Sequence, residues 1–129
     1  QHKKIYCKMD PHHLQQIITN LVDNGLRHSN KDGAENFITI ETHIYSVTNF
    51  PYINIIDEGE GIDDSQIDTI FEPFYTTKST GSGLGLYLCK ELCQANQADI
   101  VHFPKTQKQK SCFRLILCQA QQKTDTYDQ

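Results

Sequence analysis

Two periods of apolar residues divide this chain. Leu14, Ile17, Ile18, Leu21 and Val22 recur at helical spacing. Asp10-Pro11 just before them is a helix start, with Asp suited to the N-cap and Pro to the first helical position. Asn30-Lys31-Asp32-Gly33 predicts the turn that ends this helix. Lys3 to Met9 alternates as a short strand, and Phe37 to Ser46 alternates more clearly. Thr48-Asn49-Phe50-Pro51 makes a turn into a further strand, Tyr52 to Asp57, which runs straight into DEGEGIDD. Asp63 or Asp64 caps a short helix through Ile67, Ile70 and Phe71, stopped by Pro73. After the Thr/Ser/Gly-rich loop FYTTKSTGSG, Leu84 to Gln97 is predicted as a helix, apolar at Leu84, Leu88 and Leu92 with Cys89 beside them. ADIVHF and SCFRLILC are two strands joined by the polar turn PKTQKQK.

The resulting order is β-α-β-β-α-α-β-β. Its strands come in adjacent pairs, which favours hairpins over a doubly wound sheet. The predicted fold is an α+β two-layer sandwich, a mixed five-stranded sheet with three helices on one face. Residues 1–118 form one domain. Residues 119–129, QAQQKTDTYDQ, lack apolar content and are expected to be a frayed tail.

Composition narrows the class. A chain of 129 residues suits a single domain. Twelve Lys and Arg against sixteen Asp and Glu give a net charge of −4, which argues against a dedicated nucleic-acid binder. No run approaches the ~20 apolar residues of a membrane span, so no membrane contact is expected of this piece. The chain opens inside a strand without an initiator Met, and is read as an excised domain of a longer protein. The five cysteines (Cys7, Cys89, Cys93, Cys112, Cys118) are odd in number and unpaired in pattern, and read as small buried hydrophobes in a reducing compartment. A zinc site on Cys89 and Cys93 would have to borrow His102 and Cys112, whose spacing is loose.

Three segments carry chemistry. On the first helix Asn20, Asn24, Arg27 and His28 stand at i, i+4, i+7 and i+8, a polar stripe separate from the apolar one. A carboxamide oxygen is a hard ligand suited to Mg²⁺, which takes few protein ligands beside phosphates. In DEGEGI a strand delivers Asp57, and Gly59 and Gly61 allow close approach of a flat ligand while the carboxylate accepts from an exocyclic amine. Thr80-Gly81-Ser82-Gly83-Leu84-Gly85-Leu86 opens a helix, where exposed amides attract anions. Taken singly, these are equally a polar helix face, an acidic turn and a flexible loop. Together they are the parts of a magnesium-nucleotide site.

In this order the segments resemble the ATP-binding catalytic domain of sensor histidine kinases, in the GHKL superfamily with its Bergerat fold. NLVDNGLRHS is similar to the N box, DEGEGI to the G1 box, FEPFYTTK to the F box and GSGLGLYLCKEL to the G2 box. The F-to-G2 stretch is most like the nitrogen-regulation and pilus-expression sensor kinases. The resemblance implies that Asn24 ligates Mg²⁺ with Asn20 supporting it, that Arg27 touches phosphate, and that His28 stacks on adenine. It implies that Asp57 reads the adenine amine, with Gly59, Gly61 and Ile62 shaping the pocket. Phe71 and Phe74 would anchor the lid, with Phe74 bordering the nucleotide. Lys78 and Thr77 would reach the terminal phosphate, and Gly81, Ser82, Gly83, Leu84, Gly85 and Leu86 would line the triphosphate. Two positions depart from the usual pattern: Gly25 where Ala is usual, and Ser82 where Thr is common.

Gyrase-type and chaperone relatives carry a Glu one turn before the metal-binding Asn as a base for water. Asn20 cannot play that part, so phosphoryl transfer is favoured over hydrolysis. The implied acceptor is a histidine on a separate dimerisation hairpin, for relay to a response regulator. None of the six His residues here has that setting. The domain is therefore expected to bind ATP and ADP without phosphorylating itself. Alternatives are another GHKL ATPase, a serine kinase relative, or a non-enzymatic nucleotide-binding module.

Overall fold

The computed structural model describes residues 4–28, 37–62, 64–75 and 84–118. Helix α1 spans Pro11–His28, strands β1 and β2 span Ile38–Ile44 and Pro51–Asp57, helix α2 spans Gly85–Ala95, and strands β3 and β4 span Asp99–Phe103 and Cys112–Ile116. A single 3₁₀ turn, Asp64–Gln66, lies between β2 and α2.

Helix α1 starts where its sequence says it should. The Asp10 carboxylate accepts the amides of His12 at 2.8 Å and His13 at 3.3 Å. That occupies donors the first turn leaves unpaired. Ile17 and Leu21 are fully buried, with Leu14, Ile18 and Val22 packed around them. Helix α2 buries Cys89 and Cys93 against the same core.

The sheet order is β1-β2-β4-β3, and every neighbouring pair is antiparallel. Register places Ile53 opposite Leu115, Ile55 opposite Phe113, and Ile100 opposite Leu115. These side chains share one face, and α1 and α2 pack over it and against each other. On the other face Arg114 lies over the rings of Tyr52 and Phe103 while its Nε donates to Asn54.

This corrects the expectation in three respects. Among the described residues the sheet has four strands, because the segment ending at Met9 forms only a bridge at Cys7, with the Lys8 amide donating to the Cys118 carbonyl at 2.9 Å. Its alternation is real, with Cys7 and Met9 packed on the core, but it meets the chain only beyond the end of β4. The sheet is antiparallel throughout, because both sequence-adjacent pairs close as hairpins and β4 then docks against β2. The third helix shrinks to one 3₁₀ turn followed by turns. Apolar contacts at Ile67, Ile70 and Phe71 support barely one turn, and Pro73 prevents its extension.

Candidate functional site

The last turns of α1, the turn after β2 and the start of α2 converge. Gly25 is buried against the β2 end: a Cβ there would lie 3.2 Å from Asp57 Cβ and 2.7 Å from Ile38 Cδ1. Glycine at this position is thus a consequence of close packing against the candidate amine-reading carboxylate. Farther along, the His28 carbonyl presses on Gly59, where a Cβ would come within 2.5 Å of it. Gly59 is needed for that approach, whereas Gly61, at φ +83°, is needed for its backbone conformation as well.

Asp57 is 5% exposed, and its Oδ1 accepts the Gly59 amide at 2.8 Å. Burial pushes its pKa above the ordinary carboxylate value, against the opposing pull of the Gly59 amide, the nearby His28 and a hydrogen bond from Ser111. A desolvated carboxylate held by one backbone amide suits a ligand that supplies a further donor.

On the polar stripe of α1, the Asn20 amide donates to the Gly85 carbonyl at 3.3 Å, which ties α1 to the first residue of α2. Asn24 is half-buried one turn later, and its backbone carbonyl accepts from His28 Nδ1 at 2.8 Å. Arg27 is exposed and His28 half-buried. Leu84 and Leu86 are half-buried, and Gly85 has open space where a side chain would go. Among the described residues no side-chain hydrogen bond caps the start of α2. Ile62 is half-buried against the core.

Phe71 and Phe74 part company. Phe71 packs edge-on to Phe113 at 6.1 Å, whereas Phe74 is 74% exposed at φ +66°. Lys78, Thr77, Gly81, Ser82 and Gly83 lie outside the described residues. Of the cysteines, Cys89, Cys93 and Cys112 are buried, and burial raises their thiol pKa values to about 12, about 11 and about 11. No group of three or more His, Cys, Asp or Glu among the described residues could hold a metal ion.

The structure adds residues that the sequence did not mark. The β3–β4 hairpin clamps the turn after β2: the Asp57 amide donates to the Ser111 carbonyl at 3.1 Å, and Lys110 pairs with Glu58 at 2.6 Å and Lys105 with Glu60 at 3.7 Å. A separate open groove of about 590 Å³ lies between α2 and β3, lined by residues such as Phe71, Tyr87, Lys90, Val101 and His102. None of Asn24, Asp57, Gly59 and Gly61 lines it, so it is not the convergence of boxes described above.

Comparison with known proteins bears on the family and the fold. The profile of histidine kinase-, DNA gyrase B- and HSP90-like ATPases matches residues 9–121. The sensor protein kinase PilS of Pseudomonas aeruginosa is 40% identical over 111 residues, covering 86% of this chain and 21% of PilS. The chain therefore spans about a fifth of that relative's length. Among solved structures, the catalytic domain of histidine kinase ThkA superposes with a TM-score of 0.71 at 23% identity, covering 86% of this chain and 69% of ThkA's. Full-length ShkA in complex with AMPPNP superposes with a TM-score of 0.67 at 20% identity, covering 84% of this chain and 22% of that one. At these identities the two superpositions speak for the fold.

Proposed function

This chain belongs to the family of histidine kinase-, DNA gyrase B- and HSP90-like ATPases, and from that premise we propose that it binds Mg·ATP and passes the γ-phosphoryl group to a histidine on a separate dimerisation hairpin, for relay to a response regulator. The observation that carries this reading is the packing of α1 against the turn after β2. Gly25 and His28 touch Asp57 and Gly59, so the helix bearing Asn24 stands beside the carboxylate. AMPPNP bound by ShkA supports ATP as the ligand.

In this reading Asp57 accepts the adenine amine, with Gly59, Gly61 and Ile62 around the base and His28 against it. Asn24 supplies one hard oxygen to Mg²⁺, and the nucleotide phosphates and water supply the rest, as this ion prefers. Bound there, the metal would neutralise charge on the transferring phosphoryl group. Arg27, Lys78 and Thr77 meet the phosphates, and Gly81, Ser82, Gly83, Leu84, Gly85 and Leu86 line the chain of phosphates. Phe74 borders the nucleotide from the lid.

Transfer is favoured over hydrolysis by what Asn20 does. Its amide donates to the Gly85 carbonyl. A carboxylate, the base a hydrolase needs, could not make that bond and would face a carbonyl oxygen instead. The domain works on the cytoplasmic side, with membrane attachment elsewhere in the full-length protein. Among the described residues no helix is long and apolar enough to cross a membrane.

The test mixes the chain with γ-phosphate-labelled ATP, with and without a separately made hairpin carrying a phosphoacceptor histidine. Acid-labile label on the hairpin, and none on the chain alone, is expected. Label on the chain alone, or steady hydrolysis without a hairpin, would contradict the proposal.

A further inference from the structure

Asp57 has polar neighbours on the β3–β4 hairpin. His102 on β3 and Ser111 just before β4 stand side by side, with His102 Nε2 and Ser111 Oγ 3.1 Å apart. Ser111 is 1% exposed and stands across from Asp57, whose amide donates to the Ser111 carbonyl at 3.1 Å; the Ser111 side chain beside the carboxylate opposes the rise in its pKa. His102 lies opposite Phe113 in the β3–β4 register, ring to ring at 4.7 Å. Its Nδ1 is buried and has no partner among the described residues.

That unpartnered nitrogen decides the direction of the His102–Ser111 bond. A neutral imidazole has one N–H and one bare nitrogen. If Nδ1 carried the hydrogen, a buried donor would be left unpaired, the costlier kind of orphan. Nε2 would then accept the Ser111 hydroxyl and draw it from Asp57. With the hydrogen on Nε2, His102 donates to Ser111 Oγ, and the single Ser111 hydrogen is left free to turn to the neighbouring Asp57 carboxylate. Burial lowers the pKa of His102 to about 4, so the ring stays neutral near pH 7.

We propose that His102, acting through Ser111, is a positioning residue that orients Asp57 to accept the exocyclic amine of adenine. The three residues come from β3, β4's leading edge and β2, so the β3–β4 hairpin sets the aim of the carboxylate as well as clamping its turn. The inference rests on the nucleotide reading given above and deepens it.

The test titrates the 129-residue chain with Mg·ADP and with purine riboside 5′-diphosphate, which lacks the amine. His102→Phe keeps a ring beside Phe113 but has no N–H. It should weaken ADP by about three- to tenfold, the worth of one neutral hydrogen bond, and leave the amine-free analogue unchanged. His102→Gln, whose side-chain amide can take the place of Nε2–H, should restore most of the ADP affinity. In a Ser111→Ala background His102→Phe should do no further harm, since coupled residues are not additive. If His102→Phe spares ADP binding, weakens both ligands equally, or adds its full effect to Ser111→Ala, the relay is refuted while the nucleotide site stands. If the unaltered chain binds neither ligand, the nucleotide reading itself fails.

Discussion

Replacing Gly59 with Ala perturbs the site by the width of one methyl group. The added Cβ would lie 2.5 Å from the His28 carbonyl oxygen, 3.0 Å from its carbon and 3.1 Å from Asp57 Oδ1. An ordinary contact begins near 3.4 Å, so the carbonyl and the turn must separate by about 0.9 Å. The blocking atoms are backbone in the last turn of α1, which cannot rotate away as a side chain would. Overpacking of this kind costs about 1–3 kcal/mol. Movement of the turn also strains the 2.8 Å bond from the Gly59 amide to Asp57. Losing a bond to a charged group adds about 1.5–3 kcal/mol. Together these come to about 2.5–6 kcal/mol, a large part of a domain's stability, and should lower the melting midpoint by roughly 10 °C or more. Melting followed by circular dichroism, paired with an ADP titration, checks both consequences. Gly85→Ala is the control: nothing lies within 4 Å of its would-be Cβ, and Ala there favours the helix. It should melt at or above the unaltered midpoint. A Gly59→Ala protein that melts within about 2 °C of the original, where some 10 °C is expected, would refute the close approach of α1 to this turn.

Other outcomes follow from the same coordinates. Gly25→Ala gains about 1 kcal/mol of helix propensity, while its Cβ meets the mobile end of Ile38 and the root of Asp57. The protein should stay about as stable but bind ADP more weakly, and unchanged affinity in a titration would contradict the packing. Leu21→Ala opens a cavity at a fully buried position. Chemical denaturation should show a loss of about 2–5 kcal/mol with the slope unchanged. Because the Asp57 pKa is raised in the folded state, the folded protein holds its proton more tightly than the unfolded chain. Stability should therefore fall as pH rises from the ordinary value of 3.8 through the raised one, then level off. Asp57→Asn removes that titration, so denaturation midpoints of the two proteins should diverge across this window and run parallel above it. Parallel behaviour throughout would mean that Asp57 is not desolvated.

Much of this was legible in the sequence, for identifiable reasons. Helix α1 has both a start signal at Asp10-Pro11 and two turns of apolar stripe, so nothing competes with it. Asp57, Gly59 and Gly61 are close in sequence, and their local geometry is set by the turn they make. The segment before Met9 has strand periodicity, but pairing depends on a partner, and only Cys7 meets one. Ile67, Ile70 and Phe71 are spaced for a helix, but the segment closes only into turns, with the Thr69 and Ile70 amides both donating to the Gln66 carbonyl, before Pro73 stops it. Ser111, Lys105 and Lys110 carry no signal in the sequence, and His102 suggests at most a loose metal ligand, because all four reach the turn after β2 only through the β2–β4 and β3–β4 pairings. Gly25 stands out in the sequence as a departure from the usual residue, but the reason, close approach to Asp57 and Ile38, lies in the packing of α1 on the sheet.

Calorimetric titration of the unaltered chain and of Asp57→Asn with Mg·ADP addresses the adenine-nucleotide site most directly. The unaltered chain should bind, and loss of the charged acceptor, worth about 1.5–3 kcal/mol, should raise Kd by roughly 10- to 150-fold. Equal affinity in the two proteins, or no binding by the unaltered one, would contradict it.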